Sequence, residues 1–456
     1  MASPARRIAA DVLLRVEQGG AFANLALDGA LRAAGVLEPR EAALATELVY
    51  GTLRWRLALE RALAKHGDRA VDTLDAPVRT ALLIGAFELV FHPRVPERAA
   101  VNEAVELAKD LKAQKASGYV NAVLRRLASK RELPAPPDVQ VDPAGHLAAI
   151  SAHPRWLCER WIAWLGFEEA KLLCLANQVQ ARASVRVNRR RATIAQAQQA
   201  LFESGLQCEP GLLSPDALIL QEGSPPALDL EGHTQGLFQA QDEAAQLVSL
   251  FAAPTEGMKV LDACAAPGGK SCHLAELVGP TGSVLALDLH ARKAKGIEEA
   301  ARRLGHANLT ARAADASLPL PDLAHEAFDL LLLDAPCSGL GTLRRHPEVR
   351  LKRTSEDIDR LSNLQRRLLD NLAAYVKPGG VLVYALCTLT AEECDEVPRR
   401  FLEAHPEFTP EAPPAHWAHD DAAAHQLDGA RLRTLPSHAK TDGFFALRLR
   451  KKANTP

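Results

Sequence analysis

VLDACAAPGGKS, Val260 to Ser271, decides how the larger part of this chain folds. Its apolar opening reads as a strand, and Gly268 with Gly269 permits a tight turn and close backbone approach just beyond it. SCHLAELV then reads as a helix whose first turn presents free N–H groups suited to an anion, here a carboxylate. Lys270 adds positive charge at the same place. This is not a GxxxxGK[ST] phosphate loop, because Asp262 to Pro267 contains no glycine, and it is not GxGxxG.

The rhythm continues outward from that turn. SVLALDL is a second strand, ARKAKGIEEAARRLG a helix, and Asn308 to Ala313 a third strand. FDLLLLDAP is a nearly uncharged run between turn residues, as expected of a strand buried on both faces. A long helix is expected from Ser355 to Val376, then PGG, the strand VLVYAL and a late strand GFFALRLR. Such alternation from about residue 236 predicts an α/β domain, a mostly parallel sheet covered by helices, with chemistry at the carboxyl ends of its strands. Asp288 ends the second strand, twenty positions beyond Gly268, where a carboxylate can accept hydrogen bonds from a ribose diol. Asp315 follows the third strand and is placed to face an adenine. Glycine turn, Lys270, Asp288 and Asp315 together point to an adenosine-bearing ligand.

Two further strand ends carry cysteines. LLLLDAPCSGLG holds Asp334, Pro336 and Cys337, and VYALCTLTAEE holds Tyr384, Cys387 and Thr388. A parallel sheet brings both ends to one cleft, although the cysteines are fifty positions apart. A thiolate there suits addition to carbon 6 of a cytosine, which makes carbon 5 enamine-like and able to attack a sulfonium methyl. A carboxylic acid must then meet the density gathering on N3, and Asp334 is the candidate. A base must afterwards remove the carbon-5 proton, a role for Cys337 or a water it orients. Spacing does not decide which cysteine attacks.

Residues 1–140 read as a compact helical bundle. In ARRIAADVLLRVEQGG one face carries Ile8, Val12, Leu13 and Val16, and VRTALLIGAFELVF is apolar nearly all round, as a central buried helix is. ELPAPPDVQVDPAG looks like a linker. Residues 141–235 read as a small α+β segment, with a strand in SVRVNRRRAT, a helix from Ile194 to Ser204 and a strand in ALILQEG. The eight cysteines are scattered and include no CxxC pair, which argues against a disulfide scaffold or a zinc knuckle, and the histidines have no convincing metal-ligand spacing. The opening MASPARRIAADVLLRVEQGG lacks the apolar run of a secretory leader, and no stretch has the roughly 18 apolar residues that cross a bilayer, so a cytoplasmic location is expected.

At these residues the sequence resembles the bacterial small-subunit ribosomal RNA cytosine-5 methyltransferases, the kind that modify position 967 of 16S rRNA. The likeness covers essentially the whole chain and is strongest in DACAAPGGKS, LLDAPCSGLG, VYALCTLTAEE and TDGFF, Thr441 to Phe445. It implies a Rossmann-like S-adenosylmethionine-dependent methyltransferase domain over 236–456. Ahead of it the likeness implies an RNA-binding helical domain like that of transcription antitermination factors, and the small α+β segment. It implies that Cys264, Ala265, Ala266, Pro267, Gly268, Gly269 and Lys270, with Asp288, Asp315 and Asp334, hold the cofactor. By the same likeness Cys387 is the nucleophile and Cys337 serves release of the methylated product. DNA cytosine-5 methyltransferases place their attacking cysteine in the Pro-Cys stretch and normally lack the second, so the pair favours RNA. The family usually reads Thr-Cys-Ser where this chain has Leu386-Cys387-Thr388.

Net charge is −2, so RNA contacts must come from local patches rather than from bulk charge. The best are Arg186 with Arg189, Arg190 and Arg191; Arg125 with Arg126; and RRHPEVRLKR, containing Arg344, Arg345 and His346, expected at the mouth of the pocket. The expected partner is 16S rRNA, free or in an early small-subunit assembly particle, with no DNA or membrane partner and a monomeric chain. A transfer RNA cytosine-5 methyltransferase and a non-catalytic RNA-binding assembly or antitermination factor are the competing readings.

Overall fold

The computed structural model describes residues 1–221, 230–417 and 421–453. The expected strand ALILQEG is therefore described only to Gln221, and Glu222 and Gly223 lie outside the described residues. Two compact units emerge: Met1–Val179 with Leu343–Lys352, and Gln180–Thr342 with Arg353–Pro456.

The first unit is helical. Pro4–Gln18, Ala23–Ala33, Pro39–His66, Ala76–Phe91, Glu97–Asp110 and Ser117–Ala128 form the bundle; two begin with proline and Ala76–Phe91 carries one second, where the missing N–H costs nothing. Ala76–Phe91 is buried along nearly its whole length, as its all-round apolarity requires. Its Glu88 is fully buried and accepts from Arg6 Nε at 3.0 Å. The expected linker contains the start of a helix: Asp142 accepts from the Gly145 N–H at 2.9 Å and caps Pro143–Ser151. That helix, Arg155–Leu165 and Phe167–Ala176 belong with the bundle, so the division falls at Val179, inside the segment expected to be α+β.

The second unit holds two sheets among the described residues. The small antiparallel sheet has the order β2-β3-β1-β4, from β1 (Ser184–Val187), β2 (Cys208–Pro210), β3 (Ala217–Leu220) and β4 (Phe238–Ala240). The strand expected over 184–193 stops at Val187, where Asn188 turns the chain and donates to the carbonyls of Gly236 and Leu304.

The large sheet is built from β5 (Lys259–Asp262), β6 (Ser283–Asp288), β7 (Leu309–Ala313), β8 (Phe328–Asp334), β9 (Val376–Leu386), β10 (Phe408–Pro410), β11 (Leu427–Asp428), β12 (Arg431–Thr434) and β13 (Phe444–Lys451). Its order is β11-β12-β13-β9-β8-β5-β6-β7, with β10 on β13. Strands β7, β6, β5, β8 and β9 are parallel neighbours, and β13 joins antiparallel. The order reverses between β5 and β8, which opens the crevice where ligands bind such sheets. The long helix ends at Leu372, not Val376; Val376 already pairs with Phe328, and a register shift carries Lys377–Gly380 before Val381 pairs with Leu330.

Candidate active site

The turn after β5 is built as its glycines demand. Gly268 sits at φ +100°, and a Cβ there would lie 3.1 Å from the Ile297 side chain. Its N–H donates to the Ala265 carbonyl at 2.8 Å, and helix Gly269–Leu277 starts immediately. Beneath it Asp262, fully buried, accepts from Ser271 Oγ at 2.6 Å and is pushed by burial up to about 7. Asp288 ends β6 and accepts from the His290 N–H; Asp315 is exposed and held below the usual carboxylate range by the Ser317 hydroxyl and N–H.

Burial pushes the Cys264 thiol up, and the carboxylates of Asp262, Asp334, Asp288 and Asp315 all add to that push. Four acids from four strand ends therefore act on one point of the turn. A bare-backbone turn at a helix start, ringed by hydrogen-bond acceptors, fits the carboxylate, ribose and cationic sulfonium of S-adenosylmethionine. Cys264, Ala265, Ala266, Pro267, Gly268 and Gly269 form that turn; Lys270 differs. Its ammonium turns to Asp334 Oδ2 at 2.7 Å and lies 4.9 Å from the Phe444 ring centroid. Burial is the largest single influence and opposes its charge, but Asp334, joined by Cys387 and Asp262, leaves the Lys270 pKa raised.

The sheet brings the two cysteines together. Asp334 and Ala385 are register partners in β8 and β9, and Ala335 N–H donates to the Ala385 carbonyl just beyond. Cys337 Sγ and Cys387 Sγ stand 3.3 Å apart, both partly accessible. The thiol contact, then burial, pushes Cys337 well above its ordinary value. Gly341 donates to the Cys387 carbonyl at 3.1 Å and accepts from Gly443 N–H at 2.7 Å. TDGFF, a motif whose function periodicity could not suggest, thus locks both cysteine loops and supplies Phe444 over Lys270.

The basic patches need correction. Arg186 is no surface residue: it is 1% exposed, donates to Gln241 at 2.9 Å and pairs with Glu276 at 2.6 Å. Arg189 and Arg190 are exposed. RRHPEVRLKR does not present an open basic face either. Leu343–Lys352 belongs to the helical unit, where Arg344 and Arg350 are buried, Glu348 accepts from the Ala23 N–H at 3.0 Å, and Lys352 donates to the Ala21 carbonyl at 2.7 Å. Arg345 and His346 are half-buried. The pattern misled because helix starts and backbone carbonyls consume charges that sequence shows only as a run.

The 16S rRNA methyltransferase RsmB/F family matches residues 249–450, the NusB family matches 3–129, and the ferredoxin-like domain of RsmF/B-like methyltransferases matches 153–226. The probable ribosomal RNA small subunit methyltransferase B of Bacillus subtilis (strain 168) is 37% identical over 98% of this chain and 98% of its own. The chain belongs to the family of ribosomal RNA small subunit methyltransferase B. Another member, from Pseudomonas putida, is 35% identical over 98% of both chains. The crystal structure of PH0851 shares 27% identity and a TM-score of 0.81, covering 99% of this chain and 100% of that one. The fold is accordingly a NusB-like helical domain followed by a Rossmann-like methyltransferase domain. Among the described residues no helix is long and apolar enough to cross a membrane.

Proposed function

We propose that this chain transfers a methyl group to carbon 5 of a cytosine in 16S rRNA, of the position-967 type, with Cys387 as covalent nucleophile. The observation that carries this reading is the pair of thiols 3.3 Å apart in the unit that also holds the glycine turn and the Lys270–Asp334 pair. The 264–269 turn with Asp288 and Asp315 would hold S-adenosylmethionine, whose sulfonium would supply an electrophilic methyl group and leave as the neutral thioether S-adenosylhomocysteine.

Cys387 sulfur adds to carbon 6 of an extruded cytosine, and the ring electrons move toward N3. Asp334 meets that edge of the base, and the Lys270 ammonium paired with it donates toward N3 as the density gathers there. Carbon 5, now nucleophilic, takes the methyl group and still carries its proton. Before the adduct forms, Cys337 is held as a neutral thiol chiefly by its contact with Cys387. Once Cys387 is a thioether, it neither shares a proton with Cys337 nor bears charge against it. Cys337 therefore becomes a more accessible base, directly or through a water, at the step that needs one. Loss of the carbon-5 proton and expulsion of Cys387 complete the cycle. Arg189 and Arg190, with Arg345 and His346, are the phosphate contacts this reading retains. The substrate is 16S rRNA, free or in an early assembly particle, in the cytoplasm.

Cys387→Ala should abolish methyl transfer while leaving cofactor binding largely intact. Cys337→Ala should methylate but trap a protein–RNA adduct visible on a denaturing gel. Full activity of the first variant would rule out the nucleophile, and absence of the adduct with bound RNA would rule out the release role. Bisulfite mapping of 16S and transfer RNA from cells lacking the gene separates the substrates: a lost transfer RNA site beside an unchanged 16S pattern refutes the ribosomal assignment.

A further inference from the structure

We infer that Glu393 is the positioning residue that sets the two thiols in register, by strapping the loop after β8 to the loop after β9. The inference rests on the catalytic roles proposed for Cys337 and Cys387.

Glu393 is 0% exposed, so it reaches neither base nor cofactor. It lies in a short π-helix, Glu392–Glu396, a rare irregularity that is frequent beside functional sites. From the Cys337 loop, Ser338 N–H donates to its Oε1 at 2.9 Å and Ser338 Oγ donates to Oε2. From the Cys387 loop, Thr390 Oγ1 donates to Oε2 at 2.9 Å, and Thr388 Oγ1 lies 2.6 Å from Ser338 Oγ. Gln365 on helix Ser355–Leu372 donates to Oε1 at 2.9 Å and, with the same amide, to the Pro336 carbonyl at 2.9 Å. Tyr384 closes the arrangement by donating to the Gln365 side-chain carbonyl and the Glu393 main-chain carbonyl, at 2.9 and 3.0 Å.

One carboxylate thus binds the residues immediately after both cysteines, Ser338 and Thr388, together with Thr390, into one buried unit. All these donors are neutral, so their hydrogen bonds, rather than a countercharge, satisfy it. Nothing else named in this cluster has acceptors facing both loops. A buried polar network in which every member is satisfied specifies one geometry, whereas loops ending separate strands otherwise relax independently.

The test uses the full-length protein carrying Glu393→Gln or Glu393→Ala. Phenylarsine oxide reports the geometry directly: its oxygen leaves as water and arsenic bonds both sulfurs, but only where two thiols are adjacent. Wild type should yield one arsenic bridging the Cys337 and Cys387 peptides by mass spectrometry. Both variants should lose the bridge, with kcat down about 10-fold for Gln and about 100-fold for Ala, as a displacement near 1 Å implies, and with KM for S-adenosylmethionine within about twofold. Glu393→Gln keeps the side chain's size, so it decides the question if the alanine variant does not fold. An intact bridge in Glu393→Gln, or wild-type kcat, overturns the inference. The bridge does not depend on turnover, so an active Cys387→Ala would refute the catalytic roles without touching the strap.

Discussion

Replacing Gly341 by alanine tests how tightly the two cysteine loops are held. A Cβ at this position would lie 1.9 Å from the Gly443 carbonyl oxygen and 2.9 Å from that of Cys387, where real Cβ contacts essentially never fall below 3.0 Å. Something must therefore withdraw by about 1 Å, and both obstacles are backbone. The shift strains the hydrogen bonds that Gly341 makes to Cys387 and Gly443, at about 0.5–1.5 kcal/mol each, on top of about 1–3 kcal/mol of overpacking. A misplacement of about 1 Å costs on the order of 100-fold in rate when reacting groups must be aligned. Gly341→Ala should thus lower kcat about 100-fold in a tritiated-methyl incorporation assay at saturating cofactor, and lower the melting temperature of the catalytic unit. Gly296→Ala, in the helix Ala291–Leu304, is the control, since nothing lies within 4 Å of a Cβ at that position and activity should be unchanged. A Gly341→Ala protein with wild-type kcat would show that the loops adjust freely and that the lock is no lock.

Two further outcomes follow from buried charges. Burial raises the Asp262 pKa from 3.8 to about 7, so the folded chain binds an extra proton between those values. The stability this contributes is complete below pH 3.8, declines as pH rises toward 7 and is flat above, a change of about 4 kcal/mol at about 1.36 kcal/mol per unit. Calorimetry of Asp262→Asn should show its melting temperature rising relative to wild type across that range; a pH-independent difference would contradict the burial. Arg186→Ala should cost about 3–5 kcal/mol by stranding Glu276, whereas Arg189→Ala should stay within about 0.5 kcal/mol and instead weaken RNA binding, reducing the slope of log affinity against log salt by about one. Thermal melts and filter binding across a salt series would expose the reverse ordering.

The parallel part of the large sheet was legible because its strands are apolar runs bounded by turn residues, and because Gly268 marks a turn that needs a positive φ. The antiparallel flank was less so. Strands β10, β11 and β12 are two to four residues long, too short for alternation to register, and are held by pairing with β13 or with each other. Helices Pro143–Ser151 to Phe167–Ala176 were obscured by a Pro-rich approach that resembles a linker until Asp142 is seen capping the first of them. Charge runs were the least legible of all. Arg186 and Arg189 look alike in SVRVNRRRAT, yet strand pairing in the small sheet buries one and leaves the other on the turn.

The same distinction resolves the departure at Leu386-Cys387-Thr388. A hydroxyl missing at 386 would loosen the pocket only if this side chain supported the target base. Leu386 is 0% exposed as the last residue of β9, where it pairs with Phe445 within the sheet. Successive side chains along a strand point to opposite faces, so a cysteine that emerges from the sheet leaves its predecessor inside it. An apolar residue suits that place without a hydrogen-bond partner, which a threonine would require there. The hydroxyl that the geometry does use is the one at 388, 2.6 Å from Ser338 Oγ and fully buried. Threonine and serine both supply it. The departure therefore falls where the site spends no polar group, and the residue kept in kind is the one that ties the two thiol-bearing loops together.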